Sequence, residues 1–426
     1  MISSHCRLLM VKAENQMLTR APLPDDAPLG CYIHIPFCTR ICPYCDFTVY
    51  RARGAPIEQY VDAVIRELTL TAEHYGCLPI ATVYFGGGTP SLLPPQTVGN
   101  ILDTVARYFQ LLPGAEISLE ANPESAQVEN LRGYRAAGVN RLSIGVQSFQ
   151  RRGLKILGRA HTPETPRQAV QAARAAGFAN VNLDFIYGWP GQTPAEWADD
   201  LAQALALEPE HLSLYALTIE PGTPFARGVA RGVIRPLDDD TVADFAELAI
   251  DRLATAGWEQ YEISNWASEP QFRSRHNQLY WQNGRYLGIG VGAHGYLGTV
   301  RYRNTRRLDR YIAMLAEGRL PVAEQEEIDH QTAMAETMML GLRLVQDGVD
   351  AAAFAVRHGS ALESVYGPVL HELAELGLLE WDGRCARLTR RGILLANEVA
   401  VHFLPEQLPT AVATSARGSS SEKQPV

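Results

Sequence analysis

From residue 31 onward, short β-branched runs alternate with longer Ala- and Leu-rich segments. The runs are CYIHI (31–35), ATVYF (81–85), EISLEA (116–121), RLSIGV (141–146), NVNLDFIYG (180–188) and HLSLYAL (211–217). Each is short and rich in residues that fit a pleated surface, so each predicts a strand. Between them, near 57–75, 95–110, 126–137, 163–177 and 194–207, apolar residues recur at helical spacing, as at Val61, Val64, Ile65 and Leu68. Strands alternating with helices predict a parallel sheet with right-handed crossovers. A closed eight-unit barrel and an open six-unit one both suit such a rhythm; six units are counted here.

The rhythm stops after about residue 220. A helix is predicted over 238–257, then YEISNWA, then a glycine-rich patch, GIGVGAHGYLG (288–298). Composition changes again at a helical run over 328–346, and GLLEWDGRCARLTRRG predicts a helix–hairpin–helix arrangement. The expected organisation is an extension at 1–30, an α/β partial barrel at 31–225, a barrel extension at 226–327, a small helical, winged-helix-like domain at 328–404 and a disordered tail at 405–426.

Composition narrows the function classes. The chain has 426 residues, 46% of them apolar, and a net charge of −9 with no long basic run, so nucleic acid is not the default partner. No apolar stretch approaches the roughly 18 residues of a membrane span, and the run Leu8–Val11 is too brief for a signal-peptide core. Met10 and Met17 offer alternative starts. The expected compartment is the cytoplasm. Seven cysteines in a reducing compartment argue for ligands or free thiols, and Cys6, Cys31, Cys77 and Cys385, each alone, read as ordinary thiols.

The other three form FCTRICPYCDF, with Cys38, Cys42 and Cys45 at spacings of four and three. Structural zinc needs a fourth ligand; His34 is at hand but lies within a strand. A redox pair leaves one cysteine idle. A [4Fe–4S] cluster held by three thiolates leaves one iron open for another ligand. GGGTP (86–90) follows the second strand and lets backbone approach a ligand; no Gly-Lys-Ser/Thr follows, so it is not a phosphate-binding P-loop. Gly290, Gly292 and Gly295 satisfy GxGxxG, but no helix opens there, so close backbone approach to a cofactor is the preferred reading.

CxxxCxxC after an opening strand, followed by the glycine turn, resembles the radical SAM superfamily. That resemblance implies that the open iron chelates S-adenosylmethionine (SAM), and that an electron from the cluster releases a 5′-deoxyadenosyl radical. YIHIPFC, YCDF, FGGGTPS, LEANPE, IGVQSF, LGRAH and DFIYGWPGQT together resemble the HemN-like coproporphyrinogen dehydrogenase family over residues 31–403. The similarity implies that Tyr32, Gly87 and Glu120 contact the cluster-bound SAM. It implies that Tyr44, Gly88, Thr89, Gln147, Arg159 and Asp184 line a second SAM site, with Ala216 beside them.

Two features depart from the dehydrogenases. Phe47 stands where they carry a further cysteine, and HNQLYW (276–281) resembles the HNxxYW signature of the HemW-type heme chaperones. Imidazole is a common axial ligand of heme iron, and two aromatics offer flat apolar area to a porphyrin. His276, Asn277, Tyr280 and Trp281 are therefore heme-contact candidates, with His276 the candidate ligand. On residue types alone, a buried His–Asn pair with two core aromatics is the plainer reading. The resemblance implies a cluster- and SAM-dependent protein that passes heme to apo-cytochromes or similar acceptors. An electron donor for the cluster is an expected partner, and the oligomeric state is open, a homodimer being one option. The alternative function is oxygen-independent oxidation of coproporphyrinogen III.

Overall fold

The computed structural model describes residues 27–405; the expected disordered tail and most of the N-terminal extension, with Cys6, lie outside the described residues. Within it, six neighbouring parallel strands appear in chain order: β1 (Leu29–Ile35), β2 (Pro79–Gly87), β3 (Gln110–Ala121), β4 (Arg141–Gln147), β5 (Val181–Tyr187) and β6 (His211–Ala216). The crossovers carry α1 (Ile57–Tyr75), α2 (Pro95–Tyr108), α3 (Val128–Ala137), α4 (Glu164–Ala175) and α5 (Pro194–Leu205). Helix α5 shows why one of them starts where it does. Thr193 accepts from the Glu196 N–H while Glu196 accepts from the Thr193 N–H, a reciprocal cap, and Pro194 takes the first helical position.

The sheet continues beyond these strands. At one edge β7 (Asn265–Ala267) pairs antiparallel with β6; at the other, β8 (Tyr286–Ile289) lies parallel beside β1. Strands β9 (His294–Leu297), β10 (Val300–Asn304) and β11 (Val322–Glu327) follow as an antiparallel run. Strand β1 pairs with β2 and β8, so the six-unit barrel is open, as the count of units predicts. The seventh parallel strand, β8, was hidden by the glycine-rich composition around it. Helix α6 (Asp239–Thr255) begins at Asp238, whose carboxylate caps the Thr241 N–H, and α7 is Leu308–Ala316.

Strand periodicity sorts the two faces of the sheet. Ile33, Val83, Leu119, Leu142, Ile144, Leu183 and Leu212 are buried in the large apolar core, which includes residues of the crossover helices. Burying each such side chain contributes about 1.5–3 kcal/mol. The intervening residues are polar: Thr82 and Tyr84, Glu116 and Glu120, Arg141 and Ser143, Asn182 and Asp184, His211 and Ser213. They meet one another. Asn182 Nδ2 donates to Ser143 Oγ at 2.7 Å, Ser143 Oγ to Asp184 Oδ2 at 2.7 Å, and His211 Nδ1 lies 2.6 Å from Asn182 Oδ1. The barrel axis is thus a hydrogen-bonded polar column sheathed by an apolar shell.

The glycine-rich patch has a structural task. Gly290 (φ +109°) leaves room for the His34 carbonyl and the Tyr60 hydroxyl, both 2.7 Å from where a Cβ would stand. A Cβ on Gly292 would lie 2.7 Å from Thr48 Oγ1, and one on Gly295 would enter the Tyr302 ring. The close approaches expected there toward a cofactor are made to the chain itself. Glu67 of α1 ties the patch down, accepting from Gly290 N at 2.8 Å, Asn304 Nδ2 at 2.6 Å and Tyr311 Oη at 2.5 Å. Cys31, Cys38, Cys42, Cys45 and Cys385 are free thiols; Cys77 is disulfide-bonded, against the free-thiol reading.

Two compact units divide the chain. The first holds all of the strands β1–β11; the second comprises residues 261–263, 280–283 and 328 onward. The second unit runs α8 (His330–Gly341), β12 (Val349–Asp350), α9 (Ala351–His358), α10 (Leu362–Glu375), β13 (Leu379–Trp381) and β14 (Cys385–Leu388). Its three strands form one small sheet in the order β12–β14–β13. Helix, strand, two helices and a hairpin is a winged-helix order. Met338, Phe354, Tyr366, Leu370 and Leu373 form its core.

Candidate cofactor-binding cavity

A cavity of about 620 Å³ opens at the C-terminal ends of the parallel strands, the end at which barrel folds place their chemistry. Its wall includes Cys38, Cys42 and Cys45 from the segment after β1, and Gly87, Gly88 and Thr89 from the turn after β2. Tyr44, Glu120, Gln147, Arg159, Asp184 and Ala216 also line it. Tyr32 does not: its hydroxyl bonds His34 Nδ1 at 2.9 Å, and its ring stacks on Tyr84 at 6.2 Å.

The glycine turn is built by close packing. A Cβ on Gly87 (φ +110°) would stand 2.3 Å from the His34 ring, and one on Gly88 would stand 2.8 Å from the Ile35 and Phe37 carbonyls. Gly88 N donates to the Ile35 carbonyl at 2.8 Å. The turn is therefore locked to the root of the cysteine segment. Gln147 adopts φ +66°, a left-handed conformation that costs energy in a non-glycine residue. It coincides with a register shift against β5, which turns the end of β4 at the cavity.

Two side-chain donors reach the cysteine segment. Thr89 Oγ1 and Arg159 Nη1 approach Cys38 Sγ and Cys42 Sγ, each at 3.6 Å. Burial pushes the Cys38 thiol up, and pushes Cys45 up to about 11, so iron must displace the protons. Among the described residues, no three His, Cys, Asp or Glu side chains converge on a single ion. A tetrahedral zinc site needs that convergence. A cubane does not, because each thiolate binds a different iron.

Arg159 and Glu120 frame the cavity with opposite charge. Arg159 Nη2 donates to Asn122 Oδ1 at 2.5 Å and to the Gly145 carbonyl at 3.2 Å. Its Nε is buried with no hydrogen-bond partner among the described residues. Glu120 Oε1 accepts from Tyr84 Oη at 2.9 Å, and Oε2 from Gly87 N at 3.1 Å. Burial, with Asp184 adding to it, pushes Glu120 up to about 7. Burial also raises Asp184, against the hydrogen bonds from Ser143 and Asn182. Asn122 joins Arg159 to Thr89, donating to Thr89 Oγ1 at 3.1 Å. It was unassigned from sequence, although it stands two residues beyond Glu120 in LEANPE.

The four HNxxYW residues part company. His276 has 1% of its surface exposed, and its Nδ1 lies 2.7 Å from Thr82 Oγ1. The ring is thus buried in this structure, with Thr82 beside its Nδ1. Asn277 is half-buried. Tyr280 and Trp281 fall in the second unit, where Trp281 Nε1 donates to Glu262 and the Arg343 guanidinium lies 4.7 Å from the Trp281 ring centre.

Residues 32–204 match the Radical SAM superfamily, and residues 328–395 match the HemN C-terminal domain. The chain is 37% identical to heme chaperone HemW of Bacillus subtilis, across 88% of this chain and 99% of that one. It is 41% identical to heme chaperone HemW of Mycobacterium tuberculosis, across 89% and 95%. The chain belongs to the HemW branch of the HemN-like radical SAM family. Its fold also matches the solved coproporphyrinogen III oxidase HemN of Escherichia coli, with a TM-score of 0.78, 25% identity and coverage of 89% and 90%. Radical SAM membership implies a [4Fe–4S] cluster and SAM, and three free thiols, an unpaired guanidinium nitrogen and a buried carboxylate in one cavity suit them. No helix among the described residues is long and apolar enough to cross a membrane.

Proposed function

We propose that this chain is a heme chaperone. It holds a [4Fe–4S] cluster through Cys38, Cys42 and Cys45, binds SAM in the cavity, and passes heme to apo-cytochromes or similar acceptors in the cytoplasm, as a homodimer served by an electron donor. The observation that carries this reading is near-full-length similarity to proteins named heme chaperone HemW. Phe47 agrees with it: 65% exposed at the cavity lip, it offers apolar area where the dehydrogenases resemble a further thiol.

In this reading Glu120 accepts hydrogen bonds from the cluster-bound SAM, and Arg159 offers Nε to a second SAM. Gln147, Asp184, Tyr44 and Ala216 complete the wall, and Gly88 and Thr89 close the turn over it. When bound, the cluster supplies an electron and SAM supplies the group that the electron releases. Asn277, Tyr280 and Trp281 remain the proposed heme contacts.

The second reading is oxidative decarboxylation of coproporphyrinogen III, favoured by the fold shared with HemN. Parallel incubations of the anaerobically reconstituted chain separate the two. With heme, a saturable Soret shift is expected; its absence removes the chaperone reading. With SAM, reductant and coproporphyrinogen III, no protoporphyrinogen is expected; its formation establishes the enzyme reading.

A further inference from the structure

We propose that His276 is a positioning residue for the Glu120 carboxylate: by seating Tyr84, it fixes the hydrogen bond that aims Glu120 into the SAM cavity. The proposal rests on the reading that this cavity binds SAM.

Five contacts carry it. The His276 ring stacks on Tyr84, with centroids 5.0 Å apart and planes 23° from parallel. Its Nδ1 lies 2.7 Å from Thr82 Oγ1, and Thr82 and Tyr84, two residues apart on β2, share a face. Tyr84 Oη then donates to Glu120 Oε1 at 2.9 Å. The histidine is itself anchored on the strand that carries Glu120. Glu116 of β3 accepts from His276 N through Oε1 and from Arg275 N through Oε2, both at 3.0 Å.

Packing leaves little freedom in this relay. A Cβ on Gly30 would come within 3.2 Å of His276 Cε1, so β1 closes against the imidazole. Tyr32 stacks on Tyr84 at 6.2 Å, so Tyr84 touches a ring at both positions. Glu120 Oε2 is held independently by Gly87 N at 3.1 Å. Tyr84 is thus the side-chain contact that sets how the carboxylate is turned. Removing the imidazole frees Tyr84 to swing, and Glu120 loses a donor. Burial, with the charge of Arg141 adding to it, lowers His276 to about 3; the ring stays neutral and contributes shape and a hydrogen bond, without charge.

The test measures SAM affinity by equilibrium dialysis and heme affinity by Soret titration on the reconstituted full chain. His276→Ala and Tyr84→Phe are each expected to weaken SAM binding about tenfold, the factor for one hydrogen bond to a charged group. The double variant is expected to be no weaker than either single one, because both break one relay. His276→Gln, whose amide can meet Thr82, is expected to recover most of the loss, and heme affinity is expected to stay at the wild-type value throughout. Unchanged SAM affinity in Tyr84→Phe, which removes one oxygen and leaves the ring to pack, overturns the proposal even where His276→Ala fails to fold. Loss of the Soret shift in His276→Ala with SAM affinity intact also overturns it, in favour of an axial ligand. A wild-type chain that takes up no SAM overturns the cavity reading first, and that result is visible before any variant is compared.

Discussion

Cys38→Ala is expected to leave the chain without an intact cluster. After anaerobic reconstitution and gel filtration, iron and acid-labile sulfide are expected to fall from about four each per chain to near zero. With three protein thiolates for four irons, the site has no spare ligand. Losing one leaves a second iron exposed, and the remaining pair cannot replace it. The fold is expected to survive, because the Cys38 side chain is only half-buried and Thr89 Oγ1 reaches its sulfur only weakly, at 3.6 Å. An unchanged far-ultraviolet circular dichroism spectrum checks that. Cys31→Ala makes the contrast: Cys31 is fully buried in the apolar core, so the variant is expected to lower thermal stability and to keep the cluster.

The second large effect lies at Glu120. Glu120→Gln is expected to weaken SAM binding by about 10- to 100-fold, the range for hydrogen bonds to a charged group. It is also expected to flatten the pH dependence of that binding. The direction follows from the carboxyl's raised value of about 7. The ionised form is the one that accepts hydrogen bonds from SAM. As pH falls through 7 the carboxyl takes a proton and affinity drops, by about tenfold between pH 8 and pH 6 for a single titration. Asp184, itself raised by burial, adds to the upward shift at Glu120, and Arg159 lines the same cavity. Isothermal titration across pH 6–8 in the wild type and the variant checks both statements; a slope retained by Glu120→Gln would assign it to another group.

Much of the barrel was legible because strand chemistry repeats at a period of two. EISLEA reads as a strand, and its alternation sets Glu116, Ser118 and Glu120 on one face; five helical intervals predict the crossovers. Cys38, Cys42 and Cys45 were legible because three thiols so closely spaced serve few purposes. What the sequence hid depends on residues far apart in the chain. Asn122 matters because Thr89 and Arg159 come to it from 33 and 37 residues away. The glycines at 290, 292 and 295 suggest a ligand until His34, Tyr60, Thr48 and Tyr302 are seen filling the space a side chain would need. HNxxYW reads as one motif along the chain, yet His276 and Trp281 belong to separate compact units, and no local pattern announces that division.

The central claim is a cluster with one iron left open to SAM, and electron paramagnetic resonance of the reduced, reconstituted chain tests it most directly. A [4Fe–4S]⁺ signal whose g-values shift on adding SAM is the predicted result. A chain that carries zinc and no sulfide, or a cluster signal indifferent to SAM, would contradict it.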